Sequence, residues 1–147
     1  MRAVIQLVKN ASCTIDGELV SSIEKGYCIL VGFNEQDSKE IVDKMIAKIV
    51  KLRIFMDENE KMNLSIQDVG GSVLSISQFT LYANCKKGNR PSFIEAAKPS
   101  ISSPLYDYFN EALSKFVPVQ TGVFGADMKI DLCNDGPITI VLDSENL

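Results

Sequence analysis

The chain has 147 residues, 46% hydrophobic and 23% charged, with a formal net charge of −4. That is enough for one domain over residues 1–147 with its own core, and it excludes a disordered or fibrous chain. The longest unbroken apolar run, Tyr27–Val31, is far short of the ~20 residues that a membrane span needs. The first nine residues are too polar for a signal peptide. The expected setting is therefore the cytoplasm, with no membrane partner. No DNA partner is expected either, because duplex binding needs a broad positive field.

Histidine is absent. A Ser-His-Asp or Cys-His system and a histidine-ligated metal site are thereby excluded. Proton transfers must use carboxylates, lysine, hydroxyls, backbone or the substrate itself. The cysteines, at 13, 28, 85 and 133, contain no C-x-x-C pair, so neither a zinc ribbon nor a thioredoxin-like motif is expected. Cys28 and Cys133 lie in apolar runs and read as buried thiols. Cys85, in a polar loop, is the one candidate reactive thiol.

In chain order, Arg2–Val8 reads as a strand. Ser12–Ile15 and Glu18–Ile23 flank Asp16-Gly17, a hairpin signal suited to a type I′ turn. Tyr27–Phe33 reads as a buried strand. A helix is predicted from about Lys39 to Leu52, with Asp37 and Glu40 as a capping box. Ile41, Val42, Met45, Ile46, Ile49 and Val50 form its apolar stripe, and Lys44, Lys48 and Lys51 lie opposite. Arg53–Met56 is a short strand, and Val73–Leu81 is the clearest interior one. Asn84–Pro91 is a basic, turn-rich loop, and Ser92–Ala97 a helical turn. Ser103-Pro104 would open a second helix with core face Leu105, Phe109, Ala112, Leu113 and Phe116. Met128–Cys133 and Ile138–Leu142 are two further strands.

Short turns between strands imply mostly antiparallel pairing, with two helices covering part of a sheet system. The expected class is α+β, layered β/β/α or barrel-like. Without a glycine-rich phosphate loop or strict strand-helix alternation, a Rossmann or P-loop domain is disfavoured.

Three constellations could carry chemistry. The first is Ser77-Gln78-Phe79-Thr80-Leu81. Period-two spacing puts Gln78 and Thr80 on the face of Leu74 and Ile76, presenting an amide and a hydroxyl where a buried strand ends; the alternative is ordinary solvation of an emerging strand. The second is Asn134-Asp135-Gly136-Pro137-Ile138-Thr139, which reads first as a turn. A cis Gly-Pro bond would turn two carbonyls to one side. The third is the basic set Lys86, Lys87 and Arg90, with the α-helical Lys44, Lys48 and Lys51. These would meet phosphates or form a solvated face.

These residues resemble the D-aminoacyl-tRNA deacylase family, also called D-tyrosyl-tRNA deacylases. The resemblance runs from Met1-Arg2-Ala3-Val4-Ile5-Gln6 through Asp16-Gly17-Glu18, Leu52-Arg53-Ile54-Phe55, Lys61–Ser65 and Asp68–Gly71. Ser77–Leu81 and Asn134–Thr139 are its most specific motifs, and Lys87–Phe93 and Thr121–Met128 match as well. It implies an enzyme that cleaves the ester between a D-amino acid and the terminal adenosine of tRNA. It also implies activity on mischarged glycyl-tRNA, a homodimer and no metal or cofactor. By the same resemblance, Gly136-Pro137 is cis and enters the partner's pocket to reject L-aminoacyl groups, with Phe124, Gly125 and Met128 completing the wall. Leu7 stands where the family commonly has an arginine associated with holding the Gly-Pro loop.

For the chemistry, Ser77, Gln78, Phe79 and Thr80 are the candidate catalytic residues. A nucleophilic Thr80 would need a base, and none is fixed beside it by sequence. Ranked above it is stabilisation of the oxyanion by backbone N–H groups around Phe79 and Thr80, with the ribose 2′-hydroxyl helping to activate water. Lys86, Lys87 and Arg90 are candidate contacts for the tRNA 3′ end. Two other readings are a non-catalytic module binding RNA 3′ ends and a general small-ester hydrolase.

Overall fold

The computed structural model describes all 147 residues. Strand β1 (Arg2–Ile15) turns at Asp16-Gly17 into β2 (Glu18–Ile23), followed by β3 (Gly26–Gly32). Both turn residues have positive φ, 50° and 77°, as a type I′ hairpin requires. Helix α1 (Lys39–Lys51) leads to a small hairpin of β4 (Phe55–Met56) and β5 (Met62–Leu64), then to β6 (Ser72–Ser77). Helix α2 (Pro99–Ser114), β7 (Val119–Thr121) and β8 (Lys129–Asp143) complete the chain, apart from short 3₁₀ turns at Phe79–Tyr82 and Ser144–Asn146.

The main sheet runs β2-β1-β3-β6-β7, with β8 also paired to β1. Pairing is antiparallel along β1 but parallel for β3–β6 and β6–β7. The sheet is thus mixed, with mostly antiparallel pairing as expected and two parallel pairs besides. The reason is physical: parallel neighbours need long crossovers, and the two helical stretches are those crossovers. The sheet curls until its two ends meet, where the Ser22 N–H of β2 donates to Gln120 Oε1 of β7 at 3.1 Å. The fold is α+β and nearly barrel-shaped. No helix is long and apolar enough to cross a membrane.

Alternation along β3 divides the interior. Tyr27, Ile29 and Val31 face a large core shared with α1 and α2, which contributes Val42, Met45, Ile46, Ile49, Leu105, Phe109 and Leu113. Cys28 faces the inside of the curl with Val8, Ala11, Cys13, Leu74 and Ile76, flanked by Met128, Ile130 and Leu132. Burying each Leu or Ile of these cores stabilises the fold by about 1.5–3 kcal/mol.

Several local expectations are corrected. Ser38, not Asp37, caps α1, its hydroxyl accepting from the Ile41 N–H. Asp37 instead accepts from the Met1 ammonium at 2.6 Å and the Asn34 N–H at 2.7 Å. Helix α2 starts at Pro99 rather than Ser103-Pro104, so Pro104 lies within it. Pro99 is the better start because its missing N–H falls among donors that have no helical acceptor. Ser92–Ala97 forms only a turn, with the Ala96 N–H donating to Phe93 O at 3.0 Å. Met128–Cys133 and Ile138–Leu142 are parts of one long strand, β8, rather than two strands joined by a turn. Cys133 is exposed, because β8 alternates and the cysteine falls on its outer face.

Candidate active site

The first motif forms where β6 ends. The strand stops at Ser77, and the Gln78 N–H makes one more ladder-like bond, to Val31 O at 2.8 Å. The chain then winds into the 3₁₀ turn Phe79–Tyr82, with the Leu81 N–H on Gln78 O and the Ala83 N–H on Thr80 O. Period two therefore holds only as far as Gln78, which shares a cavity wall with Ile76. Thr80 is on the turn, exposed and outside that wall. Glycine at 32 permits this arrangement, since a Cβ there would lie 2.7 Å from Gln78 O.

The turn leaves two donors unused. In a 3₁₀ turn the first N–H groups have no acceptor behind them. The amides of Phe79 and Thr80 find none elsewhere in the chain. Thr80 Oγ1 accepts from Gln78 Nε2 at 2.5 Å. Its partner is thus a donor, and no base is hydrogen-bonded to the hydroxyl.

A cavity of about 560 Å³ opens beside this turn. Ser77, Gln78 and Phe79 line one side, and Phe124, Gly125 and Met128 line another, with Ile76 and Ile130 between. Two stretches some fifty residues apart in sequence are brought together by β6 lying inside the curl against the start of β8. Gly125 (φ 77°) supplies the left-handed residue of the Val123–Ala126 turn, closed by the Ala126 N–H on Val123 O at 3.1 Å. Phe124 is held by Tyr106, ring centroids 6.1 Å apart, and the Tyr106 hydroxyl donates to Ser75 O at 2.7 Å. Burial keeps the Tyr106 hydroxyl protonated, pushing its pKa upward.

Phe79 is 55% exposed at the cavity mouth and meets Phe93 edge-on, ring centroids 5.0 Å apart. Phe93, Ser102 and Asp127 line the cavity too and were not singled out from sequence. Phe93 and Asp127 lie inside the matching stretches Lys87–Phe93 and Thr121–Met128, which was the available signal.

Gly136-Pro137 is a cis peptide, exposed, and lines no part of its own chain's cavity. It does not turn between strands, as composition suggested, but bulges from the β1–β8 ladder. Gln6 pairs with Thr139 and Val8 with Asn134, so only Leu7 stands opposite Asp135–Ile138. Leu7 is buried in the large core.

Lys86, Lys87 and Arg90 are exposed on a loop pinned at its base by two bonds between Asn84 and Ser92, of 2.8 and 2.9 Å. They do not line the main cavity; the loop reaches it only through Phe93. Lys44, Lys48 and Lys51 are exposed on α1. The thiols of Cys13 and Cys28 are buried, and burial raises Cys28 to about 11. Cys85 is exposed, as expected.

The family described as D-Tyr-tRNA(Tyr) deacylase matches residues 4–143, taking in both motifs. A solved structure described as "c-Myc DNA Unwinding Element Binding Protein" is 39% identical, with a TM-score of 0.92 over 97% of this chain and 98% of that one. Another, of a probable eukaryotic D-amino acid tRNA deacylase, shares the fold at 16% identity, with a TM-score of 0.82 over 96% of this chain and 97% of that one. The chain belongs to the D-Tyr-tRNA(Tyr) deacylase family, and its activity is that of a D-aminoacyl-tRNA deacylase, an ester hydrolase.

Proposed function

We propose that the protein acts as a cytoplasmic homodimer that removes D-amino acids, and achiral glycine, from the 3′ end of tRNA. What carries this reading is one cavity that gathers Ser77, Gln78 and Phe79 with Phe124, Gly125 and Met128, beside a turn with two unused amides.

In this scheme the aminoacyl ester lies in the cavity and water attacks its carbonyl carbon. The amides of Phe79 and Thr80 receive the developing oxyanion, a role worth about 2.7–4 kcal/mol per donor in other acyl-transfer sites. Collapse breaks the bond between the carbonyl carbon and the ribose oxygen. A proton from the attacking water ends on that oxygen, and free D-amino acid and tRNA leave. The neighbouring 2′-hydroxyl positions the water. Gln78 orients the substrate while holding Thr80, and Phe79 packs near the adenine. Lys86, Lys87 and Arg90 meet phosphates of the RNA end.

Handedness is enforced by exclusion. A main-chain wall clashes with one stereoisomer whatever its side chain, which a side-chain grip cannot do. Gly136-Pro137 suits that task for a partner's cavity, being exposed and remote from its own. Glycine, with no side chain to clash, is admitted. The DNA element in the relative's description does not suit a chain of net charge −4.

Matched D- and L-tyrosyl-tRNA test the proposal. The D form should be discharged at least on the order of a hundredfold faster, a barrier difference of about 2.7 kcal/mol. Equal cleavage of both, or rapid cleavage of simple esters, would instead make this a general ester hydrolase. Binding without release would make it an RNA-end module.

A further inference from the structure

Arg2 makes three contacts around the end of the Phe79–Tyr82 turn. Its Nη1 donates to the carbonyl of Leu81 at 2.9 Å, and its Nε donates to Asp143 Oδ2 at 2.9 Å. Its guanidinium carbon lies 4.5 Å from the centroid of the Tyr82 ring, itself buried. The position is fixed by the sheet: Arg2 pairs with Gly32 of β3 on one side and with Asp143 of β8 on the other. Gly32 is the residue whose missing side chain lets Gln78 O approach.

The turn is thus held at both ends. Its entry is tied to Val31 O through the Gln78 N–H, and its exit to β1 and β8 through Arg2. Two acceptors at once match the forked geometry of a guanidinium, and a charged donor strengthens the bond to the backbone carbonyl. Asp143 stays ionised: burial alone would raise its pKa, but the Glu145 N–H and Arg2 outweigh that and hold it below the usual carboxylate range. Arg2 lies outside the main cavity and is no candidate to touch the ester.

We propose that Arg2, oriented by Asp143, is a positioning residue that fixes the Phe79–Tyr82 turn and with it the amides of Phe79 and Thr80. The proposal rests on assigning the oxyanion to that turn. An oxyanion site depends on donors set before reaction, and an ångström of misplacement costs about a hundredfold in rate. A clamp that acts through the backbone should therefore appear in kcat rather than KM.

The test uses Arg2→Met, Arg2→Lys, Asp143→Asn and the Arg2→Met/Asp143→Asn double variant, with D-tyrosyl-tRNA and with amide hydrogen exchange. Arg2→Met should lower kcat about tenfold with KM within about twofold, below the cost of a full ångström shift. Arg2→Lys should recover part of the loss, since an ammonium reaches one acceptor but lacks the fork. Asp143→Asn should lose less than Arg2→Met, and the double variant no more than Arg2→Met alone, because the carboxylate acts through the arginine. Exchange should quicken at Gln78–Ala83 while the β1–β3 ladder stays protected. Wild-type kcat in Arg2→Met, additive losses, or faster exchange throughout the sheet would overturn the proposal. Should Arg2→Met not fold, the kcat loss and local exchange of Asp143→Asn decide it, and unchanged values there overturn it. Exchange also separates this idea from the enzymatic reading: an inactive wild type sinks the deacylase proposal, while the exchange pattern still reports on the clamp.

Discussion

Thr80 looks from sequence like the hydroxyl at the centre of the chemistry, yet its surroundings argue for a lesser part. It is exposed, and the group bonded to it is an amide that gives a hydrogen and takes none. Removing the hydroxyl spares both backbone amides. Thr80→Ala should therefore lower single-turnover discharge of D-tyrosyl-tRNA by less than about tenfold, whereas loss of an oxyanion donor costs about 10²–10³. A loss at the larger scale would restore the nucleophile. That Gln78 and Phe79 border a cavity is legible in the sequence because a polar motif ends a buried strand. The direction of Thr80 is not, because alternation stops with the strand. The exposure of Cys133 is hidden in the sequence for a related reason: an apolar run suggests burial on both faces, though β8 turns the cysteine outward. The contacts of Arg2 are not legible locally, because its acceptors lie 79 and 141 residues away in sequence.

Among the elements, helices were easier to read than strand pairing. The stripe Val42, Met45, Ile46, Ile49 and Val50 is buried as its spacing requires. Partners in a sheet are set by crossovers, and no local pattern reports that β3 and β6 lie parallel. Their contact gives the element-scale prediction. Gly32 of β3 lets the turn after β6 lie close, and an added methyl would meet Gln78 O at 2.7 Å and Leu81 Cβ at 3.3 Å. Gly32→Ala should lower stability in urea by about 1–3 kcal/mol, the usual cost of overpacking. It should also slow discharge, since the displaced group belongs to the turn proposed to hold the oxyanion. A variant that loses stability but keeps its full rate would show that the turn tolerates displacement.

At the scale of the whole molecule, a chain's own Gly136-Pro137 does not cover its cavity but stands away from it on the bulge opposite Leu7. If one subunit's bulge serves the other's cavity, two damaged subunits can repair each other. Gln78→Ala, altered in the cavity turn, should be nearly inactive, whereas Pro137→Gly, altered in the bulge, should keep its rate on D-tyrosyl-tRNA and discharge L-tyrosyl-tRNA as well. Unfolded together and refolded, about half of the dimers are hybrids in which the one working cavity faces an intact bulge, so the ratio of L to D discharge should fall to about half that of Pro137→Gly alone. An unchanged ratio would mean that each chain works alone. None of this was readable from composition or periodicity, which describe one chain at a time; it entered only through the resemblance.

The lining of the cavity carries one last consequence. Of all its residues only Asp127 is ionisable; the remainder is hydrocarbon, thioether, amide, hydroxyl or bare backbone. Such walls offer little by which to tell one amino acid from another. Under the proposed exclusion, breadth of substrate and strictness of handedness would share a single origin: a surface that registers which way the α-carbon is turned and remains indifferent to what hangs from it.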